Sequence, residues 1–143
     1  MLTNHLYFFT ASILNWKRVL AYDPCKQIIL DSLQYLHDKK AVKICAFVIM
    51  PNHIHLIWMP LKNNSIKNLQ LSFMKFTAQK IKFFLQDNES EYLEEFLVNK
   101  NDRTYQIWQR DSLAVELYSP KVIEQKLDYI HNNPCQGKWL LAD

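Results

Sequence analysis

His53-Ile54-His55 sets two imidazoles two positions apart inside an apolar run, His53 to Met59. Successive side chains of an extended strand point to opposite faces, so the imidazoles share one face while Ile54 and Leu56 take the other. Two neutral nitrogen donors on a rigid strand can share a divalent cation and fix its place before substrate arrives. The motif holds no cysteine or carboxylate, which suits Mg²⁺ or Mn²⁺ completed by phosphate oxygens; zinc is also compatible. Two half-buried histidines satisfied by hydrogen bonds meet the same spacing, and so short a motif arises by chance in a chain with five histidines.

A second constellation closes the chain: Tyr129-Ile130-His131-Asn132-Asn133-Pro134. On a helix, Tyr129 and Asn133 lie on one face, a turn apart. Tyr129 is offset from the apolar stripe of Ile123, Leu127 and Ile130, so its phenol can lean toward a sheet and a bound cation, with Asn133 as a third, neutral oxygen ligand. A phenol of pKa about 10 is a weak nucleophile at neutral pH. A nearby cation that polarises a phosphodiester would let it attack. That attack leaves a covalent phosphotyrosine and a free 3′-hydroxyl, and a second hydroxyl can reverse the step to join new ends. The same spacing is met by a core-edge tyrosine and a helix-capping asparagine.

Composition narrows the setting. The 143 residues fit a single domain, 1–143, and 49% hydrophobic with 13% aromatic content supplies a core. No run of 18 apolar residues suggests a membrane span, and the N-terminus carries no secretory pattern, so a cytoplasmic setting is expected. Cys25, Cys45 and Cys135 are odd in number and widely spaced, which argues against a disulfide framework and a cysteine zinc site. A single glycine, Gly137, excludes Gly-rich phosphate loops and with them nucleotide cofactors. A net charge of +3 permits a nucleic-acid partner without requiring one.

The elements that must carry these residues follow from periodicity. Leu6 to Ile13 reads as a strand. Asp23-Pro24 opens a helix that runs through Ile28, Leu33 and Leu36 to about Lys39. Val42 to Met50 and His53 to Met59 form an antiparallel hairpin around Pro51-Asn52. Ser65 caps a helix from Ile66 to about Gln86, with Leu69, Phe73 and Phe76 at helical spacing. An acidic connection follows, with room for a short helix, before a strand over Tyr105 to Trp108. Pro120 opens the last helix; Pro134 stops it and Gly137 marks a turn. The order β-α-β-β-α-β-α is satisfied by one antiparallel sheet with helices on one face, an α+β fold.

Phe47 to Trp58 (FVIMPNHIHLIW), Ile107 to Asp111 (IWQRD) and Tyr129 to Trp139 (YIHNNPCQGKW) resemble the single-tyrosine HUH transposases, an insertion-sequence-200-type superfamily. The match is closest to the REP-associated tyrosine transposase branch. Tyr7 to Ser12 (YFFTAS) and Phe73 to Ile81 (FMKFTAQKI) extend it over nearly the whole chain in the family's order. The resemblance implies a ferredoxin-like sheet with the histidine pair on a central strand. It implies a divalent metal, Mg²⁺ or Mn²⁺, on His53, His55 and Asn133. It also implies Tyr129 as the nucleophile that forms a 5′-phosphotyrosine link to single-stranded DNA beside a hairpin. Members occur as monomers and as homodimers that exchange the tyrosine helix. In place of the aromatic and acidic-histidine pair frequent in this branch, the chain carries Ser112-Leu113-Ala114-Val115-Glu116.

A nucleic-acid surface has two candidates. Five lysines and no acidic residue lie between Lys62 and Lys82, and Lys67, Lys75, Lys80 and Lys82 fall on the second helix, where they can pair with phosphates. A solvated helix face explains them equally simply. Trp108, Gln109 and Arg110 combine a stacking plane, an amide and a guanidinium, suited to unpaired bases, although Trp108 also fits a core position. The rival to strand transfer is a non-catalytic domain of the same fold that grips hairpin or single-stranded nucleic acid without cutting.

Overall fold

The computed structural model describes residues 5–132. Asn133, Pro134 and Gly137, with the helix end and turn assigned to them, lie outside the described residues.

Strand β1 (Leu6–Ser12) leads through two short helical turns into helix α1 (Asp23–Asp38). Strands β2 (Val42–Met50) and β3 (His53–Pro60) form the hairpin that the Pro51-Asn52 signal predicts. Helix α2 (Ile66–Asp87) starts at Ser65, whose hydroxyl accepts the Asn68 amide at 3.1 Å and so satisfies one of the open donors of the first turn. The acidic connection does hold a short helix, Glu91–Phe96. A two-stranded ribbon of β4 (Leu97–Asn99) and β5 (Thr104–Tyr105) follows, then β6 (Leu113–Leu117) and helix α3 (Pro120–Asn132).

The main sheet has the order β2-β3-β1-β6 with every pair antiparallel. This is the expected ferredoxin-like α+β arrangement, with β3 and β1 central. Its fourth strand differs from the expectation. Tyr105 to Trp108 does not join the sheet: Thr104–Tyr105 pairs with β4, and Trp108 makes one bridge to Ile13. The edge place goes to Leu113–Leu117, where Leu113, Ala114 and Val115 are exposed. An edge strand half open to solvent shows little apolar alternation, which is why the sequence signal was stronger at the aromatic stretch before it.

The expectation of helices on one face is also corrected. Helices α1 and α2 cover one face, burying Ile29, Leu33, Leu69, Phe73 and Ile81 against Phe9, Leu56 and Trp58. Helix α3 covers the other, where Ile130 meets Phe8, Val48, Ile57 and Leu117, flanked by Val122, Ile123 and Leu127. Strand residues on both faces are apolar, so both faces need cover. The Ile123/Leu127/Ile130 stripe supplies it on the second face. That second face carries the histidines.

Candidate active site

The histidine pair sits on a central strand and is fixed from both sides. In the register of β1 and β3, Thr10 lies opposite His55 and Ser12 opposite His53. Thr10 Oγ1 and His55 Nδ1 are hydrogen-bonded at 2.9 Å, and His53 Nδ1 meets the Asn52 Oδ1 at 2.7 Å. The Phe8 ring stacks on His55, with centres 5.3 Å apart and planes within 17°. With Nδ1 of each ring occupied, the Nε2 atoms are the nitrogens left to bind an ion. The two rings stand 4.9 Å apart, centre to centre, at 75°.

Electrostatics keeps the pair neutral. Burial holds His53 below the ordinary imidazole pKa. Burial first, then the positive fields of His53 and Lys126, push His55 down to about 4. A neutral imidazole keeps a lone pair for a cation. His55 Nε2 is buried and has no hydrogen-bond partner. A buried polar atom without a partner costs about 1–3 kcal/mol, which a bound water, ion or ligand would offset. Trp58 Nε1 shares that state, but on the opposite face within the aromatic cluster of Phe9 and Phe73. Among the described residues no third His, Cys, Asp or Glu joins the pair. Among the described residues, then, the pair offers two neutral nitrogen donors and leaves the other positions of an ion open. The donor set fits a divalent ion shared with phosphate.

Helix α3 brings the tyrosine to this point within one chain. Ser119 Oγ accepts the Val122 amide at 3.2 Å and Pro120 sets the first turn, so the helix begins where β6 ends. Ile130 is fully buried, and its neighbour Tyr129 is half exposed. The Tyr129 ring lies 5.1 Å from the His55 ring and 6.0 Å from Phe8, edge to face in both cases. Lys126, one turn earlier, holds its ammonium 4.7 Å from the Phe8 ring and 6.0 Å from the Tyr129 ring. His53, His55 and Tyr129 therefore come together, with Thr10, Phe8 and Lys126 as members that spacing alone did not identify. For Lys126 a signal existed: it stands three residues before Tyr129, on the same helical face. Asn133 lies outside the described residues.

The nucleic-acid candidates fall elsewhere. Trp108 is a core residue and not a surface stacking plane: it is 5% exposed, and its indole N–H donates to Thr77 Oγ1 at 3.0 Å. Gln109 is tied into the loop after β1, its backbone N–H donating to the Ser12 carbonyl and its side-chain oxygen accepting the Asn15 amide. That anchors it, and the exposed Arg110 beside it, at the His53 end of the sheet. Lys67, Lys75, Lys80 and Lys82 ride on α2, across the sheet from the histidines. Lys80 lies 5.4 Å over Phe76, and Lys82 lies between Phe83 and Tyr105. Phe76, expected at a core spacing, is 45% exposed; Thr77 and Ile81 take the buried positions.

No protein-family model and no curated protein matches the chain. The solved structures that share its fold include two transposases. One is a REP-associated tyrosine transposase bound to a REP hairpin, with a TM-score of 0.64 and 20% identity over 95% of this chain and 70% of that one. The other is a candidate transposase from Deinococcus radiodurans R1, with a TM-score of 0.59 and 16% identity over 92% of each chain. The expected relationship to tyrosine transposases is thus met at the level of the fold.

Proposed function

We propose that this chain is a single-tyrosine strand transferase that cuts and rejoins single-stranded DNA beside a hairpin, using a divalent metal, Mg²⁺ or Mn²⁺. One observation carries the reading: the Tyr129 ring sits 5.1 Å from His55, whose buried Nε2 has no partner. Two transposases of the same fold support it, one of them bound to a hairpin.

His53 and His55 would hold the ion through Nε2, which places the ring proton on Nδ1; His55 Nδ1–H then donates to Thr10 Oγ1. Asn133 is proposed as the third ligand. When bound, the ion supplies positive charge to the non-bridging oxygens of the scissile phosphate. The Tyr129 oxygen attacks phosphorus as its proton passes to solvent. The bond from phosphorus to the 3′ oxygen breaks, and that oxygen takes up a proton to leave as a 3′-hydroxyl. The 5′ phosphate stays on Tyr129 as a diester, so a later 3′-hydroxyl can attack it and restore the phenol. Packing of α3 on the sheet orients the phenol; the half-exposed ring leaves room for a strand end.

The test uses a labelled pool of hairpin oligonucleotides with randomised single-stranded flanks and Mn²⁺. A covalent protein–DNA adduct is expected, lost in Tyr129→Phe, in His53→Ala/His55→Ala and in EDTA. An adduct that survives Tyr129→Phe refutes the nucleophile. Metal-independent hairpin affinity without any adduct, unchanged in the histidine variants, would instead mark a binding domain that does not cut.

A further inference from the structure

Lys126 projects from α3 toward the histidine face without a carboxylate partner among the described residues. Its stem is half buried, and its ammonium lies over Phe8, the ring that stacks on His55. The Tyr129 ring is 6.0 Å away on the same helical face. The acidic neighbours in sequence, Glu124 and Asp128, stand two residues to either side and so point elsewhere on the helix. A cation held over an aromatic ring, with no carboxylate partner among the described residues and beside two neutral donors, suits an anion that arrives with the substrate.

We propose that Lys126 binds a non-bridging oxygen of the phosphate that Tyr129 attacks, as a further catalytic residue. The inference rests on the strand-transfer reading. A lysine supplies a compact point charge that follows the phosphate as its geometry changes during attack. It also acts on DNA before any metal is present, so it contributes to docking of the strand as well as to the reaction. A purely structural alternative, in which Lys126 only caps Phe8 and steadies α3, makes different predictions.

The probe is the hairpin oligonucleotide recovered from the wild-type adduct, and a version with a neutral methylphosphonate at the cut site. Affinity is measured in EDTA, where no cleavage occurs, for wild type, Lys126→Met and Lys126→Arg. Removal of one charge-assisted contact is expected to weaken binding of the phosphodiester about 10- to 100-fold in Lys126→Met. The slope of log affinity against log salt should fall by about 1. Lys126→Arg should stay within a few-fold of wild type. On the methylphosphonate probe wild type and Lys126→Met should bind alike, because the partner charge is gone. A Lys126→Met defect of the same size on both probes overturns the proposal and leaves a structural role. So does an undiminished phosphodiester affinity. If wild type forms no Tyr129-dependent adduct at all, the strand-transfer reading itself fails, a result distinct from either of these.

Discussion

Thr10→Val isolates the hydroxyl that fixes His55. Valine keeps the shape and the β-branching that a central strand favours, and removes only the hydroxyl 2.9 Å from Nδ1, the acceptor in the proposed metal-binding tautomer. His55 is 4% exposed, so water cannot replace that acceptor. A buried N–H left without a partner costs about 1–3 kcal/mol. A hydrogen bond to the far nitrogen of a metal-ligating histidine is typically worth 10- to 100-fold in metal affinity, or roughly 1.4–2.7 kcal/mol, within the same range. Mn²⁺ affinity, followed by the electron paramagnetic resonance signal of the free ion, should therefore fall about 10- to 100-fold in Thr10→Val. Thr10→Ser, which keeps the oxygen, should stay within about threefold. Thermal melting in EDTA checks that the sheet is intact. A folded Thr10→Val protein that binds Mn²⁺ as tightly as wild type would refute the role of Nδ1 in orienting the ligand.

Three more outcomes follow from the packing. Metal-free protein should lose stability as pH falls from 6.5 toward 4: the unfolded chain binds a proton at His55 that the folded chain, with its pKa pushed down to about 4, does not. That contribution is fully present above 6.5, is worth roughly 3 kcal/mol across the window, and is checked by urea unfolding at several pH values in EDTA. Ile130→Ala should cost about 2–5 kcal/mol, because the side chain is fully buried against Phe8, Val48 and Ile57, and should lower adduct yield by loosening α3; unfolding and adduct assays measured together test this. Trp108→Phe should lower the melting temperature by breaking the bond to Thr77 while hairpin affinity stays within a few-fold, since the indole is inside the core; a large affinity loss at unchanged stability would contradict that placement.

Much of the site was legible because its signals are local. Strand alternation put His53 and His55 on one face, and Pro51-Asn52 placed the hairpin turn that holds them. The stripe of Ile123, Leu127 and Ile130 gave α3, but a stripe states that a helix has a buried face and not which face of a sheet it meets. That choice depends on α1 and α2 already occupying the other side. Strand β6 escaped notice because Leu113, Ala114 and Val115 sit on an exposed edge, while the aromatic run ending at Trp108 looked more strand-like and is held by a single bridge and the Thr77 bond. Thr10 could not be found from spacing, since its link to His55 spans 45 residues and exists only in the register of β1 with β3. Helical spacing puts the α2 lysines opposite much of an apolar stripe, but it carries no information on which side of the sheet that helix packs.

In the proposed reaction one phenol, beside two neutral imidazoles, takes up the cut strand. Proteolysis of the Mn²⁺-dependent adduct, nuclease trimming and mass spectrometry of the peptides read it directly. A 5′-linked nucleotide is expected on Tyr129 and on none of the other six tyrosines. A nucleotide found on another tyrosine, or free 5′-phosphate ends with no modified peptide, would contradict it.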